Sequence, residues 1–270
     1  MIVRRLVQSE MDSVDWVEGS RHRLGVFCDK CPGKIGPNDD CAMIIVRDEA
    51  SVVMAVADGL GGSPQGHVAS AKAMESIEAH IAAAGDTKDW RPAILDAIEH
   101  ANRDIVALGS GAATTLSIAT VIDGLARFFH VGDSMAILVG GGGRIKWQTT
   151  SHSPVGYGVA AGILDSIDAL THEDLHIVSN YLGSENMHID IGPALKLSPR
   201  DCIVVASDGL SDNVSTEELT THASSGKSQE RIDGLISLAR RRMGVHDTQS
   251  TNPSVPFGKA DDIAIAMMTP

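Results

Sequence analysis

Four stretches of this chain break off at an aspartate, and in three of them glycine or another small residue follows at once. They are Val53-Met54-Ala55-Val56-Ala57-Asp58-Gly59, Phe128-Phe129-His130-Val131-Gly132-Asp133-Ser134, Ile203-Val204-Val205-Ala206-Ser207-Asp208-Gly209 and Gly258-Lys259-Ala260-Asp261-Asp262-Ile263. A fifth acidic element, Asn38-Asp39-Asp40, stands just before the apolar stretch 42–46. Short apolar runs rich in β-formers and bounded by Gly and Asp signal strands. A carboxylate where a buried strand meets a loop is half out of water, and several meeting there repel one another. Such a cluster becomes tolerable when cations sit between the oxygens. One Asp-Gly at a strand end is ordinarily a turn residue or a helix cap. Five similar settings in one chain point instead to a polycarboxylate metal site, although spacing alone names no reaction.

The rest of the chain is compatible with such a site. At 270 residues it is long enough for one large domain with two covered sheets, and no composition break or repeat marks a second. Hydrophobic residues make up 43% but aromatics only 3%, so Ala, Val, Ile and Leu must fill the core. The net charge of -13, from 22 basic against 35 acidic residues, argues against nucleic acid and against an anionic membrane surface. No run approaches a membrane-spanning helix, and the apolar part of residues 1–8 is too short for a secretory signal, so the expected location is cytoplasmic. Cys28 and Cys31 form a C-x-x-C, but Cys41 and Cys202 lie singly, so the thiols read as reduced and not as a zinc tetrad.

Residues 1–20 read as a loose lead-in. Strands are expected at 22–29, 41–47, 51–57, 114–122, 126–131, 135–139, 144–148, 187–191, 202–206 and 262–268. Helices are expected at 67–84, 89–108, 215–224 and 228–243, from apolar residues at three- and four-residue steps. Gly140 to Gly143 read as a hairpin turn, because the Gly-Lys-Ser/Thr end and following helix of a phosphate loop are missing. Residues 150–185 are the least regular and read as a mobile insertion. Hairpin-linked strands with paired helices between them indicate an α+β layered fold, not alternating βαβ.

Hard divalent ions such as Mg or Mn take oxygen ligands in octahedral geometry. Asp39, Asp58, Asp208 and Asp261 supply four carboxylates, and the Gly59 carbonyl could add a ligand. Two such ions can activate water near neutral pH and clamp phosphoryl oxygens for in-line attack, with no protein nucleophile. A Ser-His-Asp triad is the competing plan, but the chain has no Gly-x-Ser-x-Gly elbow.

In order, Asn38-Asp39-Asp40, Ala57-Asp58-Gly59-Leu60-Gly61-Gly62, Gly132-Asp133-Ser134, Ser207-Asp208-Gly209-Leu210-Ser211-Asp212 and Asp261-Asp262-Ile263 resemble the metal-dependent Ser/Thr phosphatases of the PPM (type 2C) family, in particular their bacterial branch. The resemblance implies an α-β-β-α sandwich of two antiparallel sheets with helix pairs outside, over a single phosphatase domain in which 150–185 is a flap beside the site. It implies that Asp58 bridges two catalytic ions, that Asp208 and Asp261 hold the first, and that Asp39 with the Gly59 carbonyl holds the second. Asp40 would accept a hydrogen bond from metal-held water, and Asp133 and Asp212 would hold a weaker third ion with Asp208 shared. Substrates would be proteins carrying phosphoserine or phosphothreonine, with a cognate kinase as a further partner.

Three positions depart from the pattern. Asp39 stands where Glu is more frequent, Asp262 where Asn is common, and Ile35 where a phosphate-gripping Arg is expected. Lys34 could reach the phosphate instead, as a point charge without the guanidinium fork. Leu60 stands where animal-type relatives carry a catalytic His; His67 and His152 are the other candidate acids, each also readable as a capping or surface residue. The departures leave open a second reading, a non-catalytic module that binds phosphoproteins.

Overall fold

The structure is a computed structural model that describes residues 1–85, 87–244 and 258–270. Its strands are β1 (Ile2–Val7), β2 (Asp15–Val17), β3 (Arg23–Asp29), β4 (Asp40–Asp48), β5 (Ser51–Asp58), β6 (Leu116–Ile122), β7 (Leu125–Val131), β8 (Met135–Val139), β9 (Ile145–Gln148), β10 (Asp190–Ile191), β11 (Leu195–Lys196), β12 (Cys202–Ala206) and β13 (Ile263–Thr269). The helices are α1 (Gly66–Ala83), α2 (Arg91–Ala107), α3 (Pro154–Ala160), α4 (Ser166–Ala169), α5 (Asp208–Ser211), α6 (Thr216–Ser224) and α7 (Ser228–Gly244). One sheet runs β1-β4-β5-β6-β7-β10, with β11 also on β7; the other runs β2-β3-β13-β12-β8-β9. All the pairings are antiparallel.

The period of two along each strand sorts its side chains between layers. On β4, Cys41, Met43 and Ile45 lie under α1 and α2, while Ala42, Ile44 and Val46 face the second sheet. On β12, Ile203 and Val205 point between the sheets, and Cys202, Val204 and Ala206 pack with α6 and α7. Both faces of both sheets are therefore covered, which is the expected four-layer α-β-β-α sandwich. With so few aromatics, the inter-sheet layer relies on small side chains such as Ala119, Ala126, Ala136, Ala264 and Ala266, with Phe128 stacked on Trp147 at 4.3 Å between ring centroids.

Several boundaries differ from the sequence reading. Residues 1–20 are not a loose lead-in: β1 pairs with β4, and β2 pairs with β3. Both are edge strands; in β1 half the positions are exposed, Arg4 and Arg5 among them, which hides the strand pattern, and β2 is only three residues long. The strand expected at 187–191 is only β10, and β11 and α5 are additions too short for periodicity to show. The stripe on α1 centres on Ala69 and Ala73, leaving Val68 and Ala71 half-buried. The four-glycine run is a hairpin turn, with Gly143 N–H donating to the Gly140 carbonyl at 2.9 Å. Residues 150–185 contain α3 and α4, and Leu182, near the end of the segment, is fully buried in the core. There it exchanges backbone hydrogen bonds with Thr114 at 2.8 and 3.1 Å, next to the end of β5.

Candidate metal centre

Antiparallel pairing brings the acidic strand ends together. Asp40 and Asp58 are register partners across β4 and β5. On the other sheet Ser207 N–H donates to the Ala264 carbonyl at 3.0 Å, and Ser207 Oγ accepts from Ala264 N–H at 2.9 Å, which fixes Asp208 beside Asp261 and Asp262. Between the two sets lies a half-open cleft of about 250 Å³. Asp39, Asp58, Gly59, Asp133, Asp208 and Asp261 line it, as do Lys34 and Lys259. Asp40 and Asp212 are buried behind this surface. The seven expected metal-binding positions and both expected catalytic positions are thus gathered at one end of the inter-sheet layer.

Glycines make this convergence possible. A Cβ on Gly59 would collide with the backbone of Gly66, where α1 starts. A Cβ on Gly209 would collide with the Asp262 carbonyl oxygen. Each Asp-Gly step therefore lets one backbone lie directly on another while the Asp faces the cleft. The start of α1 also lacks a local side-chain cap; the N–H of His67 donates to Asp39 Oδ1 at 2.8 Å instead. Asp39 thus sits at the positive end of that helix.

The electrostatics are those of crowded anions. The Asp58 carboxyl is pushed well above the usual carboxylate range, first by burial and then by Asp40, Asp208, Asp261 and Asp133. Asp40 is raised by burial too, against a hydrogen bond from Ser207, and its Oδ2 is sealed from water with no hydrogen-bond partner. Burial and Asp208 push Asp133 to about 7 and Asp261 to about 6, and raise Asp212 as well. Lys259 opposes the rise in these last three. Its own ammonium is disfavoured by burial but held charged by Asp208, Asp212 and Asp261. Lys34 is likewise held charged, against its burial, by Asp262 and Asp39.

Two basic residues thus enter the cluster. Lys34 Nζ donates to Asp39 Oδ2 at 2.7 Å and to Asp262 Oδ2. Ile35, at the expected Arg position, is fully exposed. Lys259 was not singled out by the sequence reading; the only hint is a lysine two residues before the Asp261-Asp262 pair. Asp262 does more than add charge: its carboxylate also accepts from the N–H groups of Cys31 and Asp39, both at 2.8 Å, and so ties the loop before β4 to β13. The cleft also takes His176 and Val178 from the 150–185 segment, a contribution that irregular sequence could not reveal.

An all-oxygen donor set, a buried acceptor without a partner and mutually repelling carboxylates fit hard divalent cations, not thiophilic ones. Among the described residues the one trio of ligand atoms within 4.8 Å of one another lies elsewhere, at His152, His188 and Asp190. There His152 Nδ1 accepts from the Gly132 N–H at 3.1 Å and from Asn180 Nδ2 at 2.8 Å. The ring proton is therefore on Nε2, 3.1 Å from Asp190 Oδ2, and no lone pair is left there for a metal. His152 is fully buried and pins the turn beside Asp133; it does not line the cleft. His67 places Nδ1 3.5 Å from Asp39 Oδ1.

A family model described as protein phosphatase 2C matches residues 34–233. The protein phosphatase PhpP of Streptococcus pneumoniae is 28% identical over 193 residues, which are 67% of this chain and 76% of that one. The serine/threonine phosphatase stp of Listeria welshimeri is 26% identical over 216 residues, 75% and 84% of the two chains. The solved structure of the S. agalactiae serine/threonine phosphatase superposes with a TM-score of 0.76 at 26% identity, covering 92% of this chain and 99% of that chain.

Proposed function

The chain belongs to the protein phosphatase 2C family, and on that premise we propose that it removes phosphate from serine and threonine side chains of proteins by metal-dependent hydrolysis, without a phosphoenzyme. The observation that carries this reading is the Asp40–Asp58 pair. These carboxyls face one another in register, are disfavoured as anions by burial and by their neighbours, and have no lysine or arginine partner among the described residues. Asp58 would be shared between two cations, Asp208 and Asp261 would hold one, and Asp39 with the Gly59 carbonyl would hold the other. Divalent cations, Mg or Mn, supply Lewis acidity toward the phosphoryl oxygens and an acidified water for in-line attack.

The chain's own residues do the rest. Asp40 would accept a hydrogen bond from water admitted with the cations; its Oδ2 is closed to bulk solvent and has no protein donor. Lys34 spends two of its three N–H donors on Asp39 and Asp262, which leaves the third for a phosphate oxygen. Asp262 fixes both Lys34 and the Asp39 backbone, so it sets the distance between the phosphate-facing ammonium and the metal-facing carboxylate. His176 and Val178 bring the 150–185 segment to the cleft, where it acts as a flap in contact with the substrate around the phosphorylated side chain. The alternative of a non-catalytic phosphoprotein-binding module draws no support from relatives that are named as phosphatases.

Hydrolysis of p-nitrophenyl phosphate and of a phosphothreonine peptide, with added Mn and then with excess chelator, tests the proposal. Turnover that appears with Mn and stops with chelator is expected. A chain that binds the peptide but never turns it over would be the non-catalytic module.

A further inference from the structure

We propose that Lys259 is a resident cation of the carboxylate cluster and takes the place of a third divalent ion, so that this chain binds two. The inference rests on the metal-dependent reading above and adds to it which corner of the cluster is closed to metal. The Lys259 ammonium donates to Asp208 Oδ2 and lies 3.0 Å from Asp261 Oδ2 and 3.3 Å from Asp212 Oδ2. Three donors meet three carboxylates, which is the full hydrogen-bonding capacity of an ammonium. Asp208 and Asp212 are two of the three residues from which a third ion would be held, and the remaining one, Asp133, lies in the field of the same ammonium.

The fold places this lysine; its position is not left to a free rotamer. The fully buried Asn213 grips the Lys259 backbone from both sides, accepting from its N–H at 2.9 Å and donating to its carbonyl at 2.8 Å. The same amide donates to the Gly209 carbonyl at 3.0 Å, so the strand entry is anchored to α5, the helix that carries Asp208. One residue earlier, a Cβ on Gly258 would stand 2.6 Å from the Arg242 carbonyl oxygen, so the chain enters in close contact with α7. The backbone before β13 is thus held where a lysine side chain reaches into the acidic corner.

A divalent ion entering that corner has to expel a tethered ammonium from three carboxylates. The tether gives the ammonium an effective concentration on the order of millimolar or above. Once expelled, it would leave a partly buried positive charge beside the incoming one, which is costly. Asp40 and Asp58 carry no such competitor among the described residues. At Asp39, Asp208 and Asp261 each lysine is paired to Oδ2, so these three are shared with the two ions while the Asp212 corner is closed.

The test is titration of the metal-free full-length protein with manganese, followed by calorimetry and by the electron paramagnetic resonance of free Mn. The parent is expected to bind two ions per chain. Lys259→Met, which keeps length and removes charge, is expected to bind three, the last at least about tenfold more tightly than any residual third binding in the parent. Adding Asp212→Asn to that variant should return the count to two. Three ions on the parent, or an unchanged count in Lys259→Met, would overturn the proposal while leaving the phosphatase reading standing. A parent that binds no manganese would instead refute the metal-dependent reading and this one with it. Should Lys259→Met fail to fold, Lys259→Gln serves the same comparison, and the parent count alone still decides against the proposal if it is three.

Discussion

The centre of the carboxylate cluster and its two flanks are built on opposite terms. At the flanks, each group of aspartates has an ammonium from the chain itself: Lys34 for Asp39 and Asp262, Lys259 for Asp208, Asp212 and Asp261. At the centre, Asp40 and Asp58 have none among the described residues, and Asp40 Oδ2 has no donor at all. At the flanks the two lysines temper the charge of Asp39, Asp208 and Asp261, and bound cations would have to share those carboxylates with them. A central charge left uncompensated keeps a cation position in reserve, at the cost of holding buried carboxyls as acids when the cation is absent. The lesson is that the acidity of the site is graded, and that the least satisfied pair marks where the chemistry belongs.

The largest effect is expected where the contrast is sharpest. Asp58→Asn removes the carboxylate proposed to be shared by two cations while barely changing side-chain volume. Phosphate-ester hydrolysis should fall by more than the roughly 10–100-fold typical of groups that only support metal ligands. The metal-free variant should melt no lower than the metal-free parent, because a buried repelling carboxyl is gone, and Mn should raise its melting temperature far less. Hydrolysis and Mn-dependent melting that match the parent would erase the distinction between centre and flank.

Next in size is a change that moves the flank without touching a charge. Gly209→Ala drives a methyl group into the Asp262 carbonyl, so α5 and the start of β13 must separate. Overpacking of this kind costs about 1–3 kcal/mol, read from denaturant unfolding. Because Asp208 and Asp262 ride on these two backbones, Mn affinity should fall together with stability. A variant as stable as the parent would mean that this contact is not what sets the spacing.

What could be read from the sequence divides along the same line. The central carboxylates were legible because each stands at the end of a buried apolar run: Asp58 closes β5 just before Gly59, and Asp40 opens β4. The α+β layering was legible in the hairpin-linked strands and the paired helices between them, while the four-layer sandwich was implied by the family resemblance. The flanking cations were not equally legible. Lys34 was found only as a neighbour of Ile35, and Lys259 not at all, since a lysine before Asp-Asp has the same appearance on a solvated loop. Its role depends on Asn213, 46 residues away in sequence and joined to it only by the fold. The edge strand β1 was missed for a related reason, since an edge exposes residues that a central strand would bury.

A moderate effect should single out the other lysine. Lys34→Ala removes the one ammonium placed to meet both the metal-facing Asp39 and a substrate phosphate. The Michaelis constant for p-nitrophenyl phosphate should rise several-fold, with turnover at saturation changed less, as expected for lost ground-state binding. Unchanged kinetics would reduce Lys34 to a purely structural counter-charge.

The smallest effect is one of pH, and it tests the graded acidity directly. In the metal-free protein Asp133 titrates near about 7 and Asp261 near about 6, both raised first by burial and then by Asp208. The unfolded chain holds these protons only to about 4. Between these values the folded state binds more protons than the unfolded one, so this contribution is present in full below the unfolded value. It is lost as pH rises through about 6 to 7. His130 works in the opposite sense on the acid side. Burial, then His152, lowers it to about 3, so acidification below its unfolded value destabilises the fold. The informative quantity is therefore the difference between the parent and Asp133→Asn, melted in chelator at pH 5.5 and pH 8. The parent should lose more on going to pH 8, by about 3 °C or less. Excess Mn should shrink that difference, because cations among the carboxylates replace the protons. Identical slopes in chelator would show that Asp133 is ionised without cost, and that the corner beside Lys259 is already neutral.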